Sequence, residues 1–266
     1  AWRPGRAKKI ARTFDRLLAL LPFEPPYFER EGLTCDFVGH SVIEDVMDVE
    51  EARKRRNDFR KAHGIAADGP LLVVLPGSRK SEVDRMLAIF LEAANQASRR
   101  IPGLHVVVPT LPQIEERVRG GVQGAKIPIT VVATHDEKLS AFAAADGALA
   151  ASGTVSLELA AAQVPTLIAY KLNPISAWIG RRVIQVPWIT LTNIILNQPL
   201  IPEEIQENCR PDRLAEGIYS LLKDEKMRAE QRLGSNEVLR KLGLGDDRQP
   251  SYRAARAVIS VIASRS

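Results

Sequence analysis

Residues 71–79 read Leu71-Leu72-Val73-Val74-Leu75-Pro76-Gly77-Ser78-Arg79. Five consecutive apolar residues stop abruptly at a Pro-Gly turn. Such a run is too short for a helix and suits a strand buried on both faces. The period then changes. Val83, Met86, Leu87, Phe90, Leu91 and Ala94 recur at spacings of three and four, the apolar stripe of an amphipathic helix.

Downstream the same alternation continues. Strands are predicted at His105–Val108, Ile129–Val132, Gly147–Ala150 and Thr166–Tyr170. Between them lie a polar helix near Gln113–Arg119 and helices at Lys138–Ala145 and Val155–Ala162. Apolar strands alternating with helices imply a parallel sheet covered on both faces. The fold class is therefore α/β, a doubly wound, Rossmann-like domain from about Asp68 to Leu222. Helices around Pro211–Leu222, Glu225–Leu242 and Ser251–Ala263 follow, the last two separated by Gly243-Leu244-Gly245-Asp246-Asp247. Upstream, a basic helix (Ala7–Thr13), an apolar run (Leu17–Leu21), a helix-like Pro26–Arg30 and a strand (Asp36–Val38) look like the closing elements of another Rossmann-like unit.

Composition bounds the function. The chain has 266 residues, 45% hydrophobic and 26% charged, enough for a proper core and too apolar for a disordered chain. No apolar run approaches the ~18–20 residues of a membrane-spanning helix. Lys plus Arg is 37 against 32 acids, a net charge of +5. That is too weak to indicate nucleic acid but compatible with an anionic ligand or membrane surface. The charge is uneven: no Asp or Glu occurs between Glu158 and Glu203, while Lys171, Arg181 and Arg182 fall inside. Cys35 and Cys209 match no metal spacing, the four histidines are scattered, and no metal site is nominated.

In open α/β sheets, ligands sit beyond the carboxyl ends of the strands. Two loops there are unusual. In the first, Gly77 permits close backbone approach, Ser78 is placed to cap the next helix, and Arg79 offers a fork of donors to phosphate. An ordinary capped turn with a surface arginine fits the same residues. In the second, Ser152-Gly153-Thr154 is small and hydroxylated, and Glu158 lies one turn into the helix, suited to accept hydrogen bonds from two ribose hydroxyls. A solvent-facing Glu158 is the alternative, disfavoured by its apolar neighbours. GxGxxG, GxxxxGK[ST] and GxSxG are all missing, so dinucleotide, P-loop and nucleophilic-serine chemistries have no support. In the acid-free stretch, Asn173-Pro174 starts a predicted helix with Ile175, Trp178, Ile179, Val183 and Val186 on one face. Arg181, Arg182 and Trp188 lie close by, a pattern that suits an anionic membrane interface, a lipid's acyl chains or simple core packing.

Trp2-Arg3-Pro4-Gly5-Arg6, Leu21-Pro22-Phe23-Glu24, Phe37-Val38-Gly39-His40, Leu75–Arg79 with Glu82-Val83, Ala151-Ser152-Gly153-Thr154 with Glu158, and Pro202-Glu203 with Gln206 occur in this order. As an ordered set they resemble the lipid-A-disaccharide synthase family over nearly the whole chain. The resemblance implies a GT-B fold of two Rossmann-like domains. It implies metal-independent, cofactor-free, inverting transfer from UDP-2,3-diacylglucosamine to 2,3-diacylglucosamine 1-phosphate, at the inner face of the cell membrane. On that reading residues 1–40 are the remnant of an N-terminal acceptor-side domain and 41–67 a linker and first helix. Residues 68–242 are the donor-binding domain, and 243–266 the C-terminal helix. Arg79 would stabilise the departing diphosphate. Gly77, Ser78, Ser152, Gly153 and Thr154 would line the phosphate side, Glu158 would bind ribose, and Asn193 would lie near the donor, although Leu191-Thr192 precedes it where the family suggests Leu-Pro. Trp178, Arg181, Arg182 and Trp188 would meet membrane or acyl chains. The family's Gly-rich opening and its expected general base match nothing in this sequence. A UDP-sugar epimerase of related fold, or a non-catalytic UDP-binding or membrane-docking module, remain alternatives, and a homo-oligomer is left open.

Overall fold

The computed structural model describes residues 4–151, 153–172 and 187–265. Two parallel sheets organise them. The smaller pairs β1 (Arg16–Ala19) with β2 (Thr34–Phe37); helix α1 (Pro4–Ala11) precedes β1, and α2 (Pro25–Glu29) connects the two strands. A 3-10 turn at Ser41–Asp45 and helix α3 (Val49–Ala62) lead to the larger sheet.

That sheet contains β3 (Leu71–Leu75), β4 (His105–Pro109), β5 (Ile129–Val132), β6 (Gly147–Ala150), β7 (Thr166–Tyr170) and β8 (Glu203–Ile205). They are hydrogen-bonded in the order β5-β4-β3-β6-β7-β8, all parallel. Relabelled from its own first strand, this is the order 3-2-1-4-5-6 of the doubly wound fold. The intervening helices are α4 (Lys80–Ser98), α5 (Glu115–Val122), α6 (His135–Ala144), α7 (Val155–Ala161) and α8 (Leu191–Leu196). Helices α9 (Pro211–Lys223), α10 (Glu225–Lys241) and α11 (Pro250–Arg265) close the chain.

The alternation of side chains along a strand sorts β3 into two cores. Leu72 and Val74 point to the face covered by α4, α5 and α9, where Met86, Phe90, Val118, Leu214 and Ile218 are buried. Leu71, Val73 and Leu75 point to the other face, against Phe59 of α3, Phe142 of α6 and Leu159 of α7. Both faces of every β3 position are therefore filled, which is why its sequence is a continuous apolar run. At the sheet's amino end, Arg60 is 2% exposed and clamps Asp146 and the Ala144 carbonyl. Asp146 in turn accepts from the Leu71 amide at 2.9 Å.

Four strands have the boundaries read from the sequence, and β4 runs one residue further. Helix α6 starts at His135 rather than Lys138, because the Thr134 hydroxyl accepts from the Glu137 amide at 3.2 Å and caps an earlier turn. The expected helix near Gln113–Arg119 is a 3-10 turn (Pro112–Ile114) followed by α5. Strand β8 and helix α8 were not foreseen. The helix expected after Asn173-Pro174, with Trp178, Arg181 and Arg182, lies outside the described residues, as does Ser152.

Candidate functional site

In this strand order the chain winds one way from β3 through β4 and the other way from β6 through β7. The loops after β3 and β6 therefore part company, and a crevice opens between them. The two loops singled out in the sequence are these two. The crevice is a cleft of about 400 Å³ lined by Gly77, Ser78, Arg79, Gly153, Thr154 and Glu158, and also by Glu82, Thr110, Leu111 and Lys138.

On the β3 side, Arg79 is the N-cap of α4 and its side chain is 77% exposed. Ser78 does not cap the helix as its hydroxyl suggested. The cap comes from Glu82, whose Oε2 accepts from the amides of Ser78 at 3.0 Å and Arg79 at 3.2 Å. A carboxylate there also meets the positive end of the helix dipole. Its Oε1 accepts from the Arg79 guanidinium at 2.9 Å and from the Tyr170 hydroxyl at 3.3 Å. Burial, reinforced by the Glu82 charge, pushes the Tyr170 phenol up, so the hydroxyl stays a donor. Gly77 has φ +123°, and a Cβ there would lie 2.5 Å from Glu82 Cβ, so the turn requires glycine twice over.

On the β6 side, Gly153 has φ +147° and open space where a Cβ would stand. Thr154 is the exposed N-cap of α7, and Ser156 Oγ donates to the Gly153 carbonyl at 3.1 Å. Glu158 projects from the first turn of α7, only partly exposed. Its partner is Lys138 from α6, whose Nζ lies 2.7 Å from Glu158 Oε2. Lys138 escaped the sequence reading, since nothing in the local pattern pairs α6 with α7. His40, after β2, is close enough to Glu158 and Glu24 for both carboxylates to favour its charged form. Burial outweighs them and lowers its pKa, and its Nδ1 accepts from the Val42 amide at 3.1 Å.

Asn193 is not brought into this cleft. It is fully buried, with Nδ2 donating to the Ile201 carbonyl and to Glu203 Oε1, both at 2.9 Å. Its Oδ1 accepts from the Ile201 amide at 2.8 Å. Glu203 also accepts from the amides of Ile189 and Thr190 and from the Thr190 hydroxyl, tying 189–193 to β8. Trp188, partly buried, precedes this anchored segment. Burial pushes the thiols of Cys35 and Cys209 up to about 11, so neither is a nucleophile near neutral pH.

The cleft thus offers two cations and two carboxylates at the carboxyl edge of a parallel sheet, a setting for a phosphorylated, hydroxyl-bearing ligand. The family model described as lipid-A-disaccharide synthetase matches residues 1–257. The lipid-A-disaccharide synthase of Rhodospirillum centenum is 50% identical over 265 residues, covering 100% of this chain and 65% of that protein. That of Paramagnetospirillum magneticum is 47% identical over 264 residues, covering 98% and 66%. The chain thus spans just under two thirds of the length of the curated relatives it matches. Among solved structures, the wall teichoic acid polymerase TagF in its H548A form aligns with a TM-score of 0.60 at 13% identity, covering 98% of this chain and 62% of that one. UDP-GlcNAc 2-epimerase from Neisseria meningitidis aligns at 0.59 and 9% identity, covering 87% and 62%. WaaG, a glycosyltransferase involved in lipopolysaccharide biosynthesis, aligns at 0.56 and 16% identity, covering 92% and 62%. These likenesses establish the Rossmann-like GT-B architecture and nothing about substrate.

Proposed function

Because the chain belongs to the lipid-A-disaccharide synthetase family, we propose that it forms the donor-binding side of a hexosyltransferase. The enzyme moves 2,3-diacylglucosamine from UDP to 2,3-diacylglucosamine 1-phosphate. The observation that carries this reading is that Arg79, at the start of α4, and Glu158, in the first turn of α7, line one cleft from its β3 and β6 sides.

The acceptor's 6-hydroxyl oxygen attacks the donor's anomeric carbon as the bond from that carbon to the diphosphate oxygen breaks. The bond's electron pair leaves with UDP, and the hydroxyl proton passes to a general base. Charge grows on the diphosphate as it departs. Arg79 and the amide-rich turn after Gly77 answer that charge most strongly in the transition state, which is where it lowers the barrier. Glu158, held by Lys138, takes the ribose hydroxyls, and Gly153 leaves room for the phosphates to approach the backbone.

UDP at millimolar concentration should raise the melting temperature of the chain. Arg79→Ala and Glu158→Ala should each weaken that protection. A melting temperature indifferent to UDP sinks the reading.

The enzyme works at the inner face of an anionic membrane, a reading supported by the Trp178, Arg181, Arg182 and Trp188 pattern and by the lipid character of both substrates. No described helix is long and apolar enough to cross a membrane. Co-sedimentation with anionic vesicles should fall on Arg181→Glu with Arg182→Glu, and an unchanged bound fraction would count against membrane contact there.

A further inference from the structure

The donor groups at the start of α4 already hold an anion of the protein's own. Glu82 engages the Ser78 and Arg79 amides through one oxygen and the Arg79 guanidinium through the other. Backbone amides at a helix start together with a guanidinium are the donor set a phosphate uses. The two partners differ in freedom. The Glu82 side chain is 12% exposed and the Arg79 side chain 77%. Gly77 is shaped around the carboxylate, since a Cβ there would sit 2.6 Å from Glu82 Oε2. Tyr170 supplies one further hydrogen bond on the side away from the amides.

We infer that Glu82 is a displaceable internal anion that sets the affinity of the cleft for a nucleoside diphosphate. This rests on the donor-site reading above and adds to it a group that opposes binding. A diphosphate takes the Ser78 and Arg79 amides and the guanidinium, and Glu82 gives them up, keeping Tyr170. Giving up those contacts, and standing as an anion beside the diphosphate, costs affinity. When UDP leaves, Glu82 closes the site again, so the same residue assists product release.

The test is calorimetric titration of the 266-residue chain with UDP and, separately, with uridine, for wild type and Glu82→Gln. Glutamine keeps a cap acceptor and removes the charge. UDP should bind about threefold more tightly to the variant, the scale of one screened charge pair, while uridine affinity stays put. A UDP affinity that is unchanged or weaker, or that shifts in step with uridine, overturns the inference and leaves the donor site standing. Failure of wild type and variant alike to bind UDP overturns both. Should the variant not fold, amide NMR of the wild type decides. The Ser78 and Arg79 N–H resonances and the Arg79 Nε–H should shift at UDP saturation, and their staying fixed while UDP binds would show Glu82 undisplaced.

Discussion

The Lys138–Glu158 contact gives a single residue pair two roles to separate. If Glu158 accepts the ribose hydroxyls, Glu158→Ala removes charge-assisted hydrogen bonds of about 1.5–3 kcal/mol. UDP affinity should then drop about tenfold or more. Lys138→Met keeps the carboxylate and removes only what aims it, so the loss should be smaller, about threefold, by calorimetry. Equal losses would make Lys138 a ligand contact in its own right. His40 gives a second, independent prediction. Its folded pKa lies below the ordinary 6.5 because of burial, and that of His105 does too, with the His63 and Arg60 charges adding to burial. The unfolded chain therefore binds more protons as the pH drops past 6.5. The stability these two sites contribute is present above that value and declines below it, toward each folded pKa. Urea midpoints should fall between pH 7.5 and 5.5, and fall less in His40→Asn, whose amide oxygen can still accept from Val42. A variant with the wild-type slope would remove His40 from the account. The sequence showed Glu158 as a lone acid in an apolar helix that called for a partner. It could not show Lys138 as that partner, because the two meet only once β5, β6 and their helices are in register.

At the scale of elements, the two glycine turns make a controlled comparison. Both have positive φ, but a Cβ at Gly77 collides with Glu82 and one at Gly153 meets nothing within 4 Å. Gly153→Ala should cost only backbone strain, about 1 kcal/mol. Gly77→Ala adds overpacking and displaces the α4 cap, for about 3 kcal/mol. Urea unfolding of the two variants should preserve that order, and similar losses would mean that the Glu82 cap contributes little to the stability of the fold. The same bookkeeping applies to Glu203, whose carboxylate satisfies the Ile189 and Thr190 amides, the Thr190 hydroxyl and Asn193. Glu203→Ala orphans several donors at once and should destabilise the chain by about 3 kcal/mol. β8 and α8 are where the sequence was least legible. β8 is three residues long, two of them glutamates, on the edge of the sheet, so it carries neither an apolar run nor alternation. α8 has six residues, too few to display a helical period. By contrast β3 and β6 are fixed by burial on both faces, and burial is what an apolar run records. Asn193 came forward only through the family resemblance, and its local sequence did not show that it is buried with internal partners, as polar residues in apolar surroundings require.

Across the whole molecule, the small sheet depends on the far end of the chain. Two parallel strands cannot stand alone in water, and β1–β2 is held from the carboxyl side. Arg253 of α11 donates to the Phe37 carbonyl at 2.8 Å and pairs with Asp246. Arg16 of β1 reaches Ser260 at 3.1 Å. The Ser251 amide donates to Glu44 at 2.9 Å. Gly39, with φ +90°, lets the strand's exit run close under the Leu242 carbonyl and Pro250, where a Cβ would lie 2.9 Å from that oxygen. The six-stranded sheet makes no such demand on α11, since its two cores are filled by α3–α7 and α9. Deleting residues 250–266 should therefore act unevenly. Amide hydrogen exchange should speed up many-fold across Arg16–Ala19 and Thr34–Phe37, while β3, β4 and β6 keep their protection and UDP still binds. Arg253→Ala should do the same more weakly. Exchange that accelerates equally in both sheets would mean that the molecule unfolds as one cooperative unit, and exchange that changes in neither would mean that the contacts of α11 are incidental to the fold.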